Sequence, residues 1–443
     1  MKNKSSECCE NQFNWPHNYR KSIYEKALIT LFSLLSLAWV LSFLLTTHRV
    51  GCDFRWRYNE ICCVRTGLDP YQVWSRNIIS SDWHPYNHPE LKRNPKSKPV
   101  NAYPPWEYTL LAPLTVFPLK TAWQIYRSGE CCALLIIVLW AFLQGMNIRH
   151  DFWDGLFCSA ASLSCGIASS GIWATDNFGI YLSLALIILI HGLRTKRLMP
   201  MSLALVVLMV KPQIGTLVAV ALLIARKWRP VLMAGVLCFA ATLWPSHLLH
   251  VSPISLVLQI PKYGSDVIHN TLLFPEPVFR FMTKLIGQFA TMAVNMFLGL
   301  AICSFWTHRV RNAHDPAFSL LPAILCNVLW TYSSPHDRFI WSIAQVMLAL
   351  LIVKEESLKR RLFLLAIMSC LIASGLMIFH VKCEGGWPAS LGWNTLGGRY
   401  GQVLFFLSYI LLPLAGIFGA LIQTAFAANT ATCLRSTPPP PTA

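Results

Sequence analysis

Residues 51–71 read GCDFRWRYNEICCVRTGLDPY, and they begin three residues after an apolar run, Ala27–Thr47 (ALITLFSLLSLAWVLSFLLTT), long enough to cross a bilayer. Within the stretch Phe54, Tyr58, Ile61 and Val64 fall at helical spacing, while Asp53, Arg57 and Glu60 share another face. The pattern predicts an amphipathic helix lying on the membrane where the first crossing ends. Its polar face turns to water or a cavity, and its stop is written in Gly67 and the Asp69-Pro70-Tyr71 turn.

Working outward, the whole composition agrees with a membrane setting. Apolar residues make up 54% of the 443 and charged residues only 13%, which excludes an ordinary soluble domain and predicts an all-α polytopic membrane protein. The formal charge of +17 comes from short basic clusters between apolar runs, the pattern of cytoplasmic membrane loops rather than a nucleic-acid groove, so no nucleic-acid partner is expected. Fifteen cysteines, most inside apolar runs and none in a Cys-x-x-Cys pair, call for neither a metal nor a disulfide framework and read as small apolar filler.

Placing every basic cluster on one side gives a topology. Residues 1–26 form a polar cytoplasmic segment and residues 27–427 one membrane domain, while residues 428–443 form a Pro-rich cytoplasmic tail expected to be disordered. Within the membrane domain, residues 47–120 make the first outer loop. Thr121–Gly145 returns to Arg149 and His150, and Trp153–Ser170 leaves again. Phe178–Leu193 comes back to Arg194, Lys196 and Arg197, and later helices meet basic residues at Arg226 to Arg229, Arg309, Arg311 and Lys354 to Arg361. The apolar lengths and the positive-inside rule together predict about twelve crossings. Trp106–Pro118, short and interrupted by Pro113 and Pro118, reads as a half-embedded helix in that first outer loop.

On this topology most chemically capable residues collect on the outer side: Asp53, the Asp69 turn, Asp176, Lys211, His336, Arg338 and Arg399. Lys211 sits between Met199–Val210 and Ile214–Ala225, runs too short to span comfortably. It is either a cation at a water-filled break in a helix or a snorkelling lysine at a hairpin tip. Asp53 is suited to act as a base at membrane level, or it caps its helix with Arg57 one turn on as ion-pair partner. Glu130, inside an apolar run, has Arg127 one turn earlier and reads as a structural pair, and Lys284 is a second ionisable group in such a run. Tyr58, Tyr103 and several tryptophans could stack on sugars, although membrane interfaces are rich in Trp and Tyr in any case.

In their order along the chain, Asp53-Phe54, Tyr58, Gly67, Pro70-Tyr71, Tyr103-Pro104-Pro105, Ala112-Pro113-Leu114, Lys211-Pro212-Gln213, Arg226-Lys227-Trp228 and Ser334-Pro335-His336-Asp337 resemble the multi-spanning GT-C glycosyltransferases of family 87. That group includes polyprenyl-phosphomannose-dependent mannosyltransferases. The chain departs from the family pattern at Arg57, usually an aromatic, and at Glu60, usually a small residue. The resemblance implies a GT-C fold and transfer of a hexose such as mannose from a polyprenyl-phosphate donor to a glycolipid or glycan acceptor, without cofactor or metal. The reaction would run by inverting displacement on the outer face of the cytoplasmic membrane. It makes Asp53 the catalytic base and gives the departing lipid phosphate to Lys211 with His336 or Arg338; on the same outer side Arg57, Tyr58, Tyr103, Asp176 and Arg399 are expected near the substrates. A secondary transporter or lipid flippase is the competing reading of so many helices, and an inactive scaffold a third.

Overall fold

The computed structural model describes residues 21–46, 52–70, 103–168, 178–264, 276–311, 313, 315–330, 339–383 and 414–424, and their regular elements are all helical. In chain order these are α1 (Ile23–Thr46), α2 (Cys52–Arg65), α3 (Pro105–Leu111), α4 (Leu119–Arg149), α5 (Phe152–Ala168), α6 (Gly179–Thr195), α7 (Leu198–Leu208) and α8 (Pro212–Ile224). There follow α9 (Trp228–Leu249), α10 (Pro253–Gly264), α11 (Glu276–Ile286), α12 (Gln288–Val310), α13 (Leu321–Trp330), α14 (Trp341–Lys354), α15 (Leu358–Cys383) and α16 (Leu414–Thr424). Short 3₁₀ turns, Ala112–Val116 and Pro316–Leu320, precede α4 and α13.

Among the described residues three helices are long and apolar enough to cross a membrane, Leu119–Arg149, Trp228–Leu249 and Ala290–Val310, while α6, α7, α8, α14 and α16 are apolar but shorter. On α9 the exposed residues Leu232, Val236, Phe239 and Leu243 recur at helical spacing, and α4 exposes Leu135 and Leu139 in the same manner. Such stripes on long helices are lipid-facing surfaces. Lys284, by contrast with its expected place inside an apolar run, is exposed near the end of α11.

The core is organised on α14, which is buried nearly all round because its sequence, WSIAQVMLALLIVK, is apolar on every face. It packs against α4, α5, α6, α13 and α15. Trp341 is fixed there by its indole N–H, which reaches the Ile324 carbonyl at 3.1 Å and the Asn327 side-chain oxygen at 3.2 Å.

Helices α4 and α5 approach most closely at two glycines. A Cβ at Gly145 would lie 2.4 Å from the Asp154 carbonyl oxygen, and one at Gly155 would meet Met146 and Phe142 side chains at 2.8 and 2.9 Å. Small residues at a helix crossing let the backbones touch where no hydrophobic force drives them together. Gly145→Ala must therefore push backbone against backbone, and a loss of about 3 kcal/mol is expected, at the upper end for overpacking. Gly235→Ala on α9 is the matched control: nothing lies within 4 Å of its new Cβ. There the substitution should gain up to about 1 kcal/mol of helix propensity. Thermal unfolding in detergent checks both, and shifts of the same sign would refute the close-crossing argument.

One end of the bundle gathers the charged tethers. Lys21 Nζ lies 2.5 Å from Asp151 Oδ2 and 2.5 Å from Asp154 Oδ1, Arg194 pairs with Asp315 at 2.5 Å, and Arg361 reaches Glu25 at 3.9 Å. These are the segments that the positive-inside assignment puts together, so the structure ties α1, α5, α6 and α15 at a common end. Helices α2 and α3 pack on each other and on α9, and Phe54 of α2 also reaches Tyr126 of α4.

Candidate active site

The polar face of α2 does not open to bulk water. Phe54, Ile61 and Val64 are buried as the apolar pattern requires, but Arg57 is only 6% exposed and Glu60 2%. The explanation is that the two charges satisfy each other: Arg57 Nη1 lies 2.5 Å from Glu60 Oε2 at an i, i+3 spacing. The guanidinium also covers the Tyr103 ring at 4.0 Å, a cation–π contact that replaces part of its lost hydration. Burial works against the charge on Arg57, and the neighbouring Glu60 above all works for it, raising its pKa on balance.

Helix α2 ends as its sequence indicates. Gly67 takes φ +78°, its N–H reaches the Val64 carbonyl at 3.0 Å, and the Leu68 N–H reaches the Cys63 carbonyl at 2.9 Å. This is a Schellman stop, and glycine suits it because the left-handed conformation strains any Cβ. The Asp69 carboxylate then accepts from Gln259 of α10 at 3.4 Å. Two further bonds pin α2 to the turn after α3: the Tyr58 hydroxyl donates to the Phe117 carbonyl at 2.7 Å, and Arg65 donates to the Thr115 carbonyl at 2.8 Å. Tyr58, expected near substrate, therefore has a part in holding the fold.

Helix α3 starts on Pro104-Pro105, whose fixed φ favours the first helical position, and it breaks at the 3₁₀ turn that holds Pro113. The half-embedded helix expected over Trp106–Pro118 is thus a single α-turn pair followed by a 3₁₀ turn. Its residues Trp106, Glu107 and Tyr108 are all buried. Glu107 is the surprise, because no reading of the sequence singled it out. It is fully buried, and neither carboxyl oxygen has a hydrogen-bond partner among the described residues. Burial pushes this carboxyl well above the usual carboxylate range; Glu60 and Asp53 push the same way, while Arg57 and Lys211 pull against them. Burial thus biases the group towards its protonated form.

Lys211 comes to the same place from the opposite side of the sequence. It is the extended residue (φ −109°, ψ 94°) immediately before α8, and Pro212 opens the helix after it. The chain turns so sharply here that a Cβ at Gly215 would lie 2.7 Å from the Met209 Cα. Lys211 is only 2% exposed, so it does not snorkel from a hairpin tip; it is enclosed and acts electrostatically on Glu107. Asp53, half-buried in the first turn of α2, acts on the same carboxyl.

Beside this charged group runs an aromatic wall. Tyr103 stands 6.3 Å from Phe178, Phe178 packs edge-on at 6.0 Å to Tyr126, and Tyr126 lies 4.8 Å from Phe54. One turn deeper on α4, Arg127 pairs with the buried Glu130 at 3.5 Å, the structural pair expected from their spacing.

Of the residues expected at the site, Asp53, Arg57, Tyr103 and Lys211 are thus brought together, and Glu60 and Glu107 join them. Asp176, His336, Arg338 and Arg399 lie outside the described residues. The arrangement offers a half-buried carboxyl at Asp53, a fully buried one at Glu107 that is biased towards its protonated form, and two enclosed cations beside aromatic rings. Such a set can accept a proton, donate one, and neutralise an anion in a low-dielectric setting.

A family model described as glycosyltransferase family 87 matches residues 101–378, more than half of the chain. The matched region takes in Tyr103, Glu107 and Lys211 and begins after α2. No curated protein and no solved structure matches the chain.

Proposed function

The chain belongs to glycosyltransferase family 87, and from that premise we propose that it moves a hexose, mannose being the first candidate, from a polyprenyl-phosphate carrier to a glycolipid or glycan acceptor on the outer face of the cytoplasmic membrane. Membership makes it a membrane glycosyltransferase acting on a sugar donor and an acceptor, and gives the transporter and flippase reading no support. The observation that carries the finer reading is the enclosure of Arg57 and Lys211 with Asp53 and Glu107 between α2, α3 and the turn before α8. Cations kept out of water and next to carboxyls suit a donor whose leaving group is an anionic lipid phosphate.

In the proposed reaction the acceptor hydroxyl attacks the anomeric carbon from the face opposite the phosphate, so the configuration inverts. Asp53 takes the hydroxyl proton as the new bond forms. Lys211 faces the charge that develops on the departing phosphate, and His336 and Arg338 are further candidates for that task. Arg57, already committed to Glu60 and Tyr103, keeps the wall of the site in place. The roughly twelve-crossing GT-C architecture would present this site at the depth where a polyprenyl phosphate sits.

The test is sugar transfer by purified protein in detergent, given radiolabelled polyprenyl-phosphate sugars or nucleotide sugars with a crude membrane acceptor. Incorporation from a polyprenyl-phosphate sugar is expected. Incorporation from nucleotide sugars alone, or from no donor, would overturn the proposal.

A further inference from the structure

Resting on that reading of the donor, we infer that Glu107 is the general acid of the transfer: it gives its proton to the phosphate oxygen that departs from the sugar. The inference comes from position first. Glu107 is fully buried on α3, both its oxygens lack hydrogen-bond partners among the described residues, and the strongest charges acting on it are the site's own. From α2 these are Arg57, Glu60 and Asp53, and from the turn before α8, Lys211. On its remaining side α3 packs against α9, where the Thr109 hydroxyl donates to the Ala241 carbonyl and Tyr108 shares an apolar cluster with Trp244, Leu248 and Leu249. A buried carboxyl without a hydrogen-bond partner costs free energy, and the fold keeps this one within the influence of Lys211, the cation that meets the leaving group.

Charge balance gives the reason. The donor phosphate is a diester with one negative charge, and breaking its bond to the sugar turns it into a monoester whose second ionisation lies near about 6. Without an acid, the enclosed site would have to hold a dianion. With Glu107 as acid, the acceptor oxygen bonds to the anomeric carbon while the carbon–oxygen bond to phosphate breaks. The acceptor proton passes to Asp53, and the Glu107 proton passes to the departing oxygen. The lipid leaves as a singly charged hydrogen phosphate. Asp53, half-exposed, then releases its proton to solvent and Glu107 regains one, which resets the site. No net charge is created in the site beyond that exchange, which matters where the dielectric is low.

The experiment compares wild type with Glu107→Gln and Glu107→Asp across pH, using the polyprenyl-phosphate sugar that wild type accepts. Glutamine fills the same space and can donate a hydrogen bond but cannot give up a proton. The expected result is a fall in kcat of about 10²-fold for Glu107→Gln, the low end for acid–base groups because phosphate already leaves readily. The alkaline limb of the wild-type pH profile should vanish with it, and Glu107→Asp should keep that limb at reduced rate. A second reading does not depend on turnover. A group that holds its proton in the folded state and loses it when unfolded makes stability fall as pH rises above the ordinary carboxylate range, so Glu107→Gln should flatten that fall in melting temperature.

A wild-type profile with no alkaline limb overturns the inference even if the variants fail to fold. So does a Glu107→Gln enzyme within threefold of wild type at every pH. If wild type takes no lipid-phosphate donor, the donor reading falls and this inference with it; if it takes one and the variant is unaffected, the inference alone falls.

Discussion

Asp53→Asn is expected to lower sugar transfer by 10³- to 10⁴-fold, the upper range for removal of a positioned base, while leaving the protein folded. The fold should survive because asparagine is nearly isosteric and the first turn of α2 loses only the charge–dipole interaction, worth about 0.3–1 kcal/mol. What asparagine cannot do is accept a proton. Asp53 is the one carboxyl of the group that is half-exposed, Glu60 being committed to Arg57 and Glu107 fully buried. The base must meet an acceptor hydroxyl arriving from outside the protein, and only the half-exposed group is placed for that. Initial rates at saturating donor and acceptor, normalised to folded protein by size-exclusion chromatography, measure the effect. An Asp53→Asn protein that elutes as wild type and retains more than a tenth of its rate would remove Asp53 as base and leave its interaction with Glu107 as a structural one.

The parts of this site that the sequence displayed are those governed by local spacing. The face shared by Asp53, Arg57 and Glu60 is visible because three and four residues make a turn, and the break at Lys211-Pro212 because proline cannot continue a preceding helix. The stop at Gly67 needs nothing beyond its own backbone. Glu107 was invisible for the same reason inverted. Within PPWEYTLL no charge stands three or four residues from it, so spacing offers no partner, and a lone acid in an apolar turn reads as a residue facing water. Its partners come from α2 and from the turn before α8, far away in the chain, and only the folded arrangement brings them to it. Likewise Gly145 and Gly155 look like any helix glycines until the close crossing of α4 and α5 gives them a purpose.

Arg57 and Glu60, which precede the matched residues 101–378, acquire a physical account from the same geometry. Arg57 and Glu60 are the two ends of one buried ion pair, and neither charge could be buried alone without a cost of about 3–5 kcal/mol. An aromatic and a small residue at these positions would fill similar space without charge. The exchange is therefore a joint one, and it lays a guanidinium on Tyr103 at the wall of the site.

Lys211→Met should cost about 10³-fold in kcat, the upper value for deleting one preorganised group that meets developing charge. Methionine matches the length of the lysine side chain and suits an enclosed position, so the turn between α7 and α8 can persist on its own bonds: the Val210 N–H to the Val207 carbonyl at 3.1 Å, and the Gly215 N–H to the Lys211 carbonyl at 3.0 Å. The lost element is the ammonium, whose value is high because Lys211 is shielded from water and needs no reorganisation as the phosphate departs. Binding and orientation by the rest of the site are left intact, so some rate over the uncatalysed reaction should remain. Lys211→Arg keeps the charge but spreads it over a broad planar fork in a tight turn, and it should recover part of the loss rather than all. The deciding comparison is kcat for donor across the three proteins at one folded concentration. The order wild type, arginine, methionine follows if charge on the leaving phosphate is the issue. Equal losses in arginine and methionine would mean that the shape of the turn sets the rate, and a methionine variant within threefold of wild type would exclude Lys211 from the reaction.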